Sequence, residues 1–417
     1  MGDGFGFRVS RSLFSCALPI YTDVPYLPMK VKQQPEDFQV EELTDVAPTG
    51  QGVFALYRLE KRGWSTPDTL AAIRRRWKVE PRRLSYGGLK DRHAVTGQYL
   101  TIFHGPRRNL QHHGITLEYL GQVPRPYDSS DIRANRFRLT VRSLTAEQVT
   151  RALRALDAVR ADGVPNYFDD QRFGSVGPGE EFIARLLVLG RFEEALRLAL
   201  AAPYEHDRAP QKQEKALLRG HWGDWAALKD QLPRGHARSL VDYLLHHPGD
   251  FRGAVARLRP ELRGLYLSAY QSSLWNRMLA RWAERHCRPE QLVPIETKLG
   301  AVPMWQGLDE EQRRELAGLM LPLPSARLKI DPADPRAALV QSVLADEGLE
   351  LKQMQVKGVR ELFFSKGERP ALCLPANLEA ASAADELNAG REKVTLGFEL
   401  PRGSYATLII KRITAEE

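Results

Sequence analysis

Cysteine is scarce in this chain of 417 residues, and its spacing gives no framework for disulfide bonds or for zinc. The three cysteines, Cys16, Cys287 and Cys373, lie far apart and lack the paired spacing of a metal site. Free thiols of this kind fit a reducing compartment best. We therefore expect a cytoplasmic protein with no metal centre.

Long apolar runs are also missing. No uninterrupted run reaches the roughly 18 residues of a membrane span. Residues 13–20 form a short apolar stretch, but Ser15 and Pro19 interrupt it and no small-residue cleavage site follows it. Gly6 stands where N-myristoylation would require serine or threonine. These absences predict neither a signal peptide nor a membrane anchor.

The remaining composition is that of an ordinary globular protein, 43% hydrophobic and 27% charged, and the length allows two domains. Basic residues outnumber acidic residues by 60 to 52, which gives a formal net charge of +8. This excess of positive charge favours an anionic partner, although it does not identify one.

The sequence pattern at the two ends of the chain is typical of strands, and the pattern in the middle is typical of helices. Strands are predicted at 38–40, 53–57, 99–103, 136–141, 393–400 and 407–411. Helices are predicted at 181–200, 225–231, 237–246 and 265–286. The pattern indicates an α+β protein in which a helix-rich unit, 176–358, is inserted into a parent domain formed by 1–175 and 359–417. Two domains in tandem are the alternative layout.

The most distinctive segment is 85–98, SYGGLKDRHAVTGQ, in which Asp91 stands between Lys90 and Arg92 directly after a glycine pair. Glycines let the backbone turn sharply and approach a ligand closely. Neighbouring positive charge favours the ionised form of a carboxyl group, and an ionised aspartate in a pocket can act as a nucleophile or general base. Taken alone, the motif is more often a solvated turn.

A basic stretch leads into this motif, since residues 74–92 contain eight lysines or arginines and two acids. Such a face suits polyanions, because basic side chains track phosphates electrostatically. Leu70, Ile73 and Trp77 have helical spacing, and Thr66 is the predicted N-cap of that helix. This pattern assigns Trp77 to the core and the arginines to the solvated side of the helix.

Four further segments bear on Asp91: 32–42 (KQQPEDFQVEE), 164–174 (VPNYFDDQRFG), 267–276 (LSAYQSSLWN) and 400–407 (LPRGSYAT). Together with 85–98 they resemble the TruD family of RNA pseudouridine synthases, in the family's order and over nearly the whole chain. The resemblance implies a pseudouridine-synthase-type mixed, largely antiparallel sheet with flanking helices. It also implies an inserted helix-rich domain, the TRUD domain of this family.

The activity that the resemblance implies is isomerisation of a uridine in tRNA, at position 13 in the usual bacterial case. The N-glycosidic bond breaks, the base turns, and C5 rejoins C1′, without redox change or hydrolysis. The implied partner is tRNA, and we expect a monomer with no cofactor and no membrane association. Two alternatives stay open: a member with broader tRNA and mRNA targets, and a non-catalytic RNA-binding or RNA-remodelling protein.

The resemblance assigns the catalytic carboxylate to Asp91 and its basic partner to Lys32. A cation beside Asp91 agrees with the electrostatics, because burial alone favours a protonated acid. From the sequence alone, a solvated lysine at a strand edge is the commoner meaning of Lys32. Whether Asp91 attacks the sugar or removes a C2′ proton is left open.

A uridine must leave its stack before its glycosidic bond can be reached, and the extruded base needs a flat apolar surface. By resemblance Phe168 stacks on the base, and Phe38, Asn166 and Tyr405 line its pocket. The amide of Asn166 can both donate to and accept from a uracil edge. Burial in the core is the alternative for Phe38, whose alternation with Val40 fits an inward face.

Three cations are candidates for RNA contact: Lys90, Arg92 and Arg172. The first two are predicted to point away from the catalytic carboxylate if their segment is extended. Gln98 and Gln171 are predicted as supports of the site or as further RNA contacts.

The chain departs from the family at Asp169, where glycine is usual, and at Gly87, where alanine is common. Aspartate adopts a left-handed backbone less freely than glycine, so we expect the turn that presents Phe168 to differ. Tyr270 and Trp275 are predicted to be helix core.

Overall fold

The structure, a computed structural model, describes residues 30–204, 207–360 and 362–415. The expectations on Cys16, on Gly6 and on residues 13–20 lie outside these described residues, as does the start of the parent domain.

Within the described residues the chain forms sixteen strands: β1 (Lys30–Val31), β2 (Phe38–Thr44), β3 (Phe54–Arg62), β4 (Leu84–Tyr86), β5 (Val95–Phe103), β6 (Leu110–His112), β7 (Ile115–Val123), β8 (Ile132–Leu144), β9 (Val164–Pro165), β10 (Leu292–Thr297), β11 (Gly300–Trp305), β12 (Met320–Pro322), β13 (Glu368–Pro370), β14 (Leu372–Cys373), β15 (Ala376–Ala384) and β16 (Glu392–Pro401). The same residues form twelve α-helices: α1 (Thr66–Trp77), α2 (Ala146–Asp162), α3 (Ile183–Val188), α4 (Phe192–Ala201), α5 (Ala209–Gly220), α6 (Trp225–Gln231), α7 (His236–His246), α8 (Phe251–Ala256), α9 (Pro260–His286), α10 (Glu310–Gly318), α11 (Pro335–Asp346) and α12 (Ala406–Thr414).

Ten of these strands form one sheet, in the order β15, β16, β8, β2, β5, β3, β7, β6, with β1 beside β8 and β4 beside β5. The paired strands are antiparallel except β2 and β5, which are parallel. Strands from both ends of the chain therefore share a single sheet. This arrangement confirms the predicted α+β class with a mixed, largely antiparallel sheet.

Strand β2 turns one face into the core because its apolar residues alternate. Phe38 and Val40 are buried, whereas Gln39 and Glu41 are partly exposed. Val40 pairs in register with Phe137 of β8, and both belong to the hydrophobic core that contains residues of α2 and α12. Burying one such side chain contributes roughly 1.5–3 kcal/mol, so this face holds β2 firmly in place.

Helix α1 begins one residue earlier than the predicted cap implies. Its N-cap is Ser65, whose hydroxyl accepts a hydrogen bond from the Asp68 N–H at 3.2 Å. Thr66 is already inside the helix, and its side chain is buried. The predicted packing of Trp77 is confirmed, since its ring lies 5.5 Å from that of Tyr57.

Two element predictions are wrong. The run 407–411, predicted as a strand, lies in α12, most of whose apolar residues are buried. A short run of β-branched residues does not decide between strand and helix, and here tertiary packing decides. The predicted helix 181–200 is divided into α3 and α4 near Gly190, whose φ of 76° is left-handed and ends the first of the two. Tyr270 and Trp275 are buried in α9 as predicted.

Candidate active site

An ion pair brings together two residues that are far apart in sequence. The Lys32 ammonium lies 2.7 Å from Oδ2 of Asp91, and the two side chains are 23% and 34% exposed. The same ammonium lies 3.8 Å from the ring centre of Phe38. Lys32 follows directly after β1 with a left-handed φ of 63°. The structure therefore places Lys32 beside Asp91, not free in solvent at a strand edge.

The Asp91 turn, defined as residues 88–91, is fastened from behind by buried polar side chains. The amide of Gln98 donates to the Gly88 carbonyl at 3.2 Å. The Lys90 N–H donates to the Thr66 hydroxyl at 2.9 Å, and that hydroxyl donates to the Gln98 side-chain oxygen at 3.2 Å. Thr66 and Gln98 are completely buried, so the turn is attached to the core through its main chain.

A buried lysine completes this attachment. The ammonium of Lys61 donates to the carbonyls of Trp64 at 2.8 Å, Lys90 at 3.3 Å and Asp91 at 2.7 Å. Burial lowers the pKa of Lys61 to about 8, with Asp91 acting in the opposite direction. Sequence reasoning missed this residue, although a signal exists: Lys61 continues the inward-facing positions of Tyr57 and Leu59 along β3.

Lys90 is engaged by protein groups. Its ammonium donates to the Asn135 side chain at 2.6 Å and lies 3.1 Å from a carboxylate oxygen of Glu42, which is completely buried. Glu42 also accepts a hydrogen bond from the Tyr99 N–H. This predicted RNA contact therefore neutralises a buried acid, whereas Arg92 is exposed.

A cleft of about 250 Å³ opens beside the carboxylate of Asp91. Its lining includes Phe38 and Phe137 from the sheet, Gln171, and the loop from Gly403 to Thr407 with Tyr405. Leu89, in the Asp91 turn, also lines it and is 68% exposed. The cleft thus combines one ionised pair with aromatic side chains.

Phe168 lies in the wall next to the cleft and is 9% exposed. Its ring centre is 6.4 Å from that of Tyr405 and 5.5 Å from that of Trp275, both in edge-on geometry. The Asn276 side chain binds the main chain of Phe168 twice: it accepts from the Phe168 N–H at 2.8 Å and donates to the Phe168 carbonyl at 2.7 Å. Phe168 is therefore fixed in position behind Tyr405.

Arg369 ties this wall together. Its guanidinium lies 4.2 Å from the ring centre of Phe168 and donates to both the main-chain and the side-chain oxygen of Asn166. The Asn166 amide donates to the Pro370 carbonyl at 3.0 Å, and the residue is 2% exposed. Burial lowers the pKa of Arg369 to about 10. We call Asn166, Phe168, Arg369 and Tyr405 the aromatic wall. Arg369 was not predicted as a site residue, and nothing in the sequence around β13 indicates that it belongs to the site.

The chain is similar to known proteins over nearly its whole length. The family model described as "tRNA pseudouridine synthase D (TruD)" matches residues 18–413. The chain belongs to the TruD family. It is 32% identical over 394 residues to a probable tRNA pseudouridine synthase D 2 of Methanocaldococcus jannaschii, covering 92% of this chain and 91% of the relative. It is 28% identical to tRNA pseudouridine synthase D of Aquifex aeolicus, covering 92% of this chain and 98% of that protein.

A solved member of the TruD family has the same fold. The crystal structure of the putative tRNA pseudouridine synthase D of Methanosarcina mazei matches with a TM-score of 0.70 and 27% identity. The match covers 95% of this chain and 96% of that one. The predicted family fold is therefore confirmed over nearly the full length.

Among the residues carried over from the TruD family, Asp91, Phe38 and Tyr405 meet at the cleft, and Lys32 lies against Asp91 and Phe38. Phe168 is packed edge-on against Tyr405, and Asn166 is buried and bonded to Arg369.

Arg172 lies between the aromatic wall and α9. Its guanidinium donates to the Tyr405 hydroxyl oxygen at 3.3 Å and to the Ser268 hydroxyl at 3.4 Å, and lies 5.3 Å from the ring centre of Phe168. It therefore orients Tyr405.

Asp169, where the TruD family usually has glycine, does not adopt a left-handed backbone. Its φ is −93°, in the extended region that any residue adopts. Its carboxylate accepts from the Thr407 hydroxyl and lies 2.9 Å from the Lys411 ammonium, both in α12. The substitution thus links the segment that carries Phe168 to the helix that follows Tyr405.

In the described part of the chain, no helix has both the length and the apolarity needed to cross a membrane.

Proposed function

We propose that this chain is a tRNA pseudouridine synthase that isomerises uridine, at position 13 of tRNA, with Asp91 as the catalytic carboxylate. The observation that carries this proposal is the Lys32–Asp91 ion pair of 2.7 Å, open to an aromatic-lined cleft in a member of the TruD family. The relatives whose names state an activity are tRNA pseudouridine synthases.

Asp91 suits either route to glycosidic cleavage. Its carboxylate reaches the cleft, while its main chain is fixed to the core through Lys61. An ionised carboxylate held in this way can attack C1′ or remove the C2′ proton. In both routes the C1′–N1 bond breaks, C5 bonds to C1′, the C5 proton leaves and N1 takes up a proton. In the first route the bond between the carboxylate and C1′ breaks as C5 bonds there, and in the second the carboxylate returns its proton to C2′. Lys32 holds the carboxylate in place before the sugar arrives.

The base site that we propose consists of Phe38, Tyr405, Phe168 and Asn166. Phe38 and Tyr405 line the cleft and make the first contact with the extruded uracil. Phe168 and Asn166 are 9% and 2% exposed, so their contact with the base requires the Tyr405 loop to move aside. Gly403, with a left-handed φ of 87°, begins that loop.

We assign RNA phosphate contacts to exposed cations. Arg92 stands next to Asp91, and Arg75 and Arg76 are exposed on α1. Arg172 contributes through Tyr405, which it orients. Lys90 contributes by holding Glu42 and the cleft wall in place.

We also propose the domain division 1–175, 176–358 and 359–417. It is supported by the sheet, whose ten strands lie in 30–144 and 376–401, and by helices α3 to α11, which fall between these segments. We propose a cytoplasmic protein, because Cys287 and Cys373 are free thiols. We propose a monomer, because the Lys32–Asp91 pair and the cleft lined by Tyr405 need no residue of a second copy.

The test compares the protein with Asp91→Asn on unmodified tRNA transcripts. Pseudouridine is mapped by carbodiimide-dependent reverse-transcription stops, and tRNA binding is measured in parallel. We expect product at position 13 with the unchanged protein, and retained binding without product for the variant. Product at another position rejects only the assigned target. Equal product from both proteins rejects Asp91 as the catalyst, and absence of product on total RNA rejects the synthase assignment.

A further inference from the structure

Lys61 is a charged side chain that the reaction does not touch. It is completely buried, and no carboxylate of the described residues lies within ion-pair distance of it. All three of its donors go to main-chain carbonyls, those of Trp64, Lys90 and Asp91. Burying an ammonium without a counter-ion is expensive, and carbonyl dipoles compensate only part of the loss of hydration.

The neighbouring positions of β3 make the lysine more unusual. Ala55, Tyr57 and Leu59 point to the same side and are buried apolar or aromatic residues, so an apolar residue would continue the pattern. The lysine stands where the sheet meets the Asp91 turn. Its effect is therefore on that turn and not on the core.

We propose that Lys61 is a positioning residue for the isomerisation: it fixes the main chain of Asp91 and, while protonated, supplies a positive charge behind the catalytic carboxylate. This inference rests on the proposed function, in which Asp91 is the catalyst. The Lys32 side chain is 23% exposed, whereas Lys61 acts from inside the protein, where salt screens its charge much less.

The geometry explains how the positioning works. Lys61 holds the carbonyls of residues 90 and 91, Thr66 holds the N–H of residue 90, and Gln98 holds the carbonyl of residue 88. The direction of the Asp91 side chain is thus set by buried groups on both sides of the turn. Small displacements of a catalytic group reduce rates strongly, which makes this attachment important for turnover.

The protonation state of Lys61 gives a readout that a purely structural lysine would lack. Burial lowers its pKa to about 8; the charge of Asp91 opposes that shift, and the charge of Lys90 adds to it. The residues paired with it on β5 and β7 are Thr96 and Ile115, and Thr66 of α1 donates to the same Lys90 carbonyl; these three side chains carry no charge.

Above pH 8 a neutral amine has two hydrogens for three carbonyls and no charge, so the rate of isomerisation should fall. The native state releases this proton at about 8 and the unfolded chain at 10.5. The contribution of Lys61 to the free energy of unfolding therefore increases between these values, and the loss of rate is not loss of folding caused by this group.

The experiment measures single-turnover pseudouridine formation from pH 6 to 10 with saturating enzyme, for the unchanged protein, Lys61→Met and Lys61→Arg. We expect a rate that declines above about pH 8, a decline that moves to higher pH in Lys61→Arg, and a loss of about 100-fold or more in Lys61→Met. Binding of tRNA should stay within about threefold, because the side chain cannot reach RNA. Lys357→Met, at an exposed position, is the matched control.

A second measurement keeps the inference testable if Lys61→Met does not fold. The ¹³Cγ resonance of Asp91 should change near pH 8 in the unchanged protein and should lack that change in Lys61→Arg. A full rate in folded Lys61→Met, or the same alkaline decline in Lys61→Arg, overturns the proposal. If the unchanged protein forms no pseudouridine, the proposed function fails, and the Asp91 resonance still decides whether Lys61 acts on the carboxylate.

Discussion

The two sides of the cleft are built differently. On one side, the Asp91 turn carries a carboxylate that is about one-third exposed and pairs with Lys32, and the main chain of the turn is held from the core by Lys61, Thr66 and Gln98. On the other side, the aromatic wall satisfies its own polar groups: Arg369 bonds to Asn166 and covers Phe168, and Arg172 bonds to Tyr405. We call the first the open side, because substrate can reach it, and the second the closed side, because its polar groups bond to one another.

This difference between the two sides assigns the chemical step to the open side and the recognition of the base to the closed side. A carboxylate and a cation can be fixed in advance, since the sugar approaches them from the open cleft. An aromatic surface for an extruded base would be an exposed apolar patch in the free protein, and packing it behind Tyr405 avoids that exposure. We expect changes on the open side to reduce the rate, and changes on the closed side to reduce stability or affinity.

Replacing Asp91 by asparagine should have the largest effect. Asparagine keeps the shape of the side chain but can neither attack C1′ nor accept a proton, so kcat should fall by at least about 10³-fold. The rate is measured in single turnovers at saturating enzyme, with tRNA affinity and unfolding as controls. Asp157→Asn, exposed on α2, should leave all three unchanged. A matching fall in stability would contradict the assignment of Asp91 to the open side.

Phe168→Ala should destabilise the protein, because Phe168 is buried on the closed side of the cleft. Removing a buried phenylalanine leaves a cavity beside Arg369 and Trp275, and we expect the free energy of unfolding to fall by about 3–5 kcal/mol. Phe363→Ala, at an exposed phenylalanine, should change it little. Tyr405→Ala should instead raise KM by about tenfold or more, because a stacking contact is worth roughly 1–3 kcal/mol. Urea unfolding and steady-state kinetics distinguish these outcomes, and the reverse assignment would refute the division between the two residues.

Lys32→Met should slow the reaction without abolishing it. Loss of the ammonium removes the charge that holds Asp91, and we expect kcat to fall by about 10²-fold. Lys30→Met is the matched control, because Lys30 bonds to Asn388 away from the carboxylate. Equal kinetics for the two variants would mean that the ion pair is dispensable.

The smallest effect is expected for Arg92→Ala. If Arg92 contacts one phosphate, tRNA affinity should fall several-fold and the slope of log Kd against log salt should decrease by about 1. Lys90→Met should not imitate it, because it leaves Glu42 buried without its cation and lowers stability. Titrations from 50 to 200 mM salt test both variants. For the unchanged protein we expect a loss of affinity of about 10³-fold over this range if roughly six or more phosphates are contacted.

More of the open side than of the closed side could be predicted from the sequence. The alternation of Phe38 with Val40 fixes β2, and the glycine pair before Asp91 indicates the turn. The pairing of Lys32 with Asp91 across 59 positions was predicted only from the family resemblance. Gln98 was predicted as a support of the site or an RNA contact, and it holds the Gly88 carbonyl. The parts of Lys61 and Thr66 in the attachment of the turn were missed, because no local spacing connects them to it.

The closed side depends on contacts between distant segments. Arg369 reaches Asn166 across 203 positions, and nothing in a single sequence links the two. The error at 407–411 has a related cause: its apolar residues suit either strand or helix, and packing made them a helix. Asp169 was predicted to alter a turn, whereas its function in the structure is to anchor α12.

Because strands from both ends of the chain share one sheet, the site is assembled late during synthesis. Lys32, Asp91 and strand β8 leave the ribosome early, but β8 keeps an unpaired edge until β16 has been made. Arg369 and Tyr405 are translated near the end, so a nascent chain has the carboxylate without a place for the base. A chain that ended before Arg369 would lack β16 and Tyr405, would have no place for the base and would be prone to aggregate along that edge.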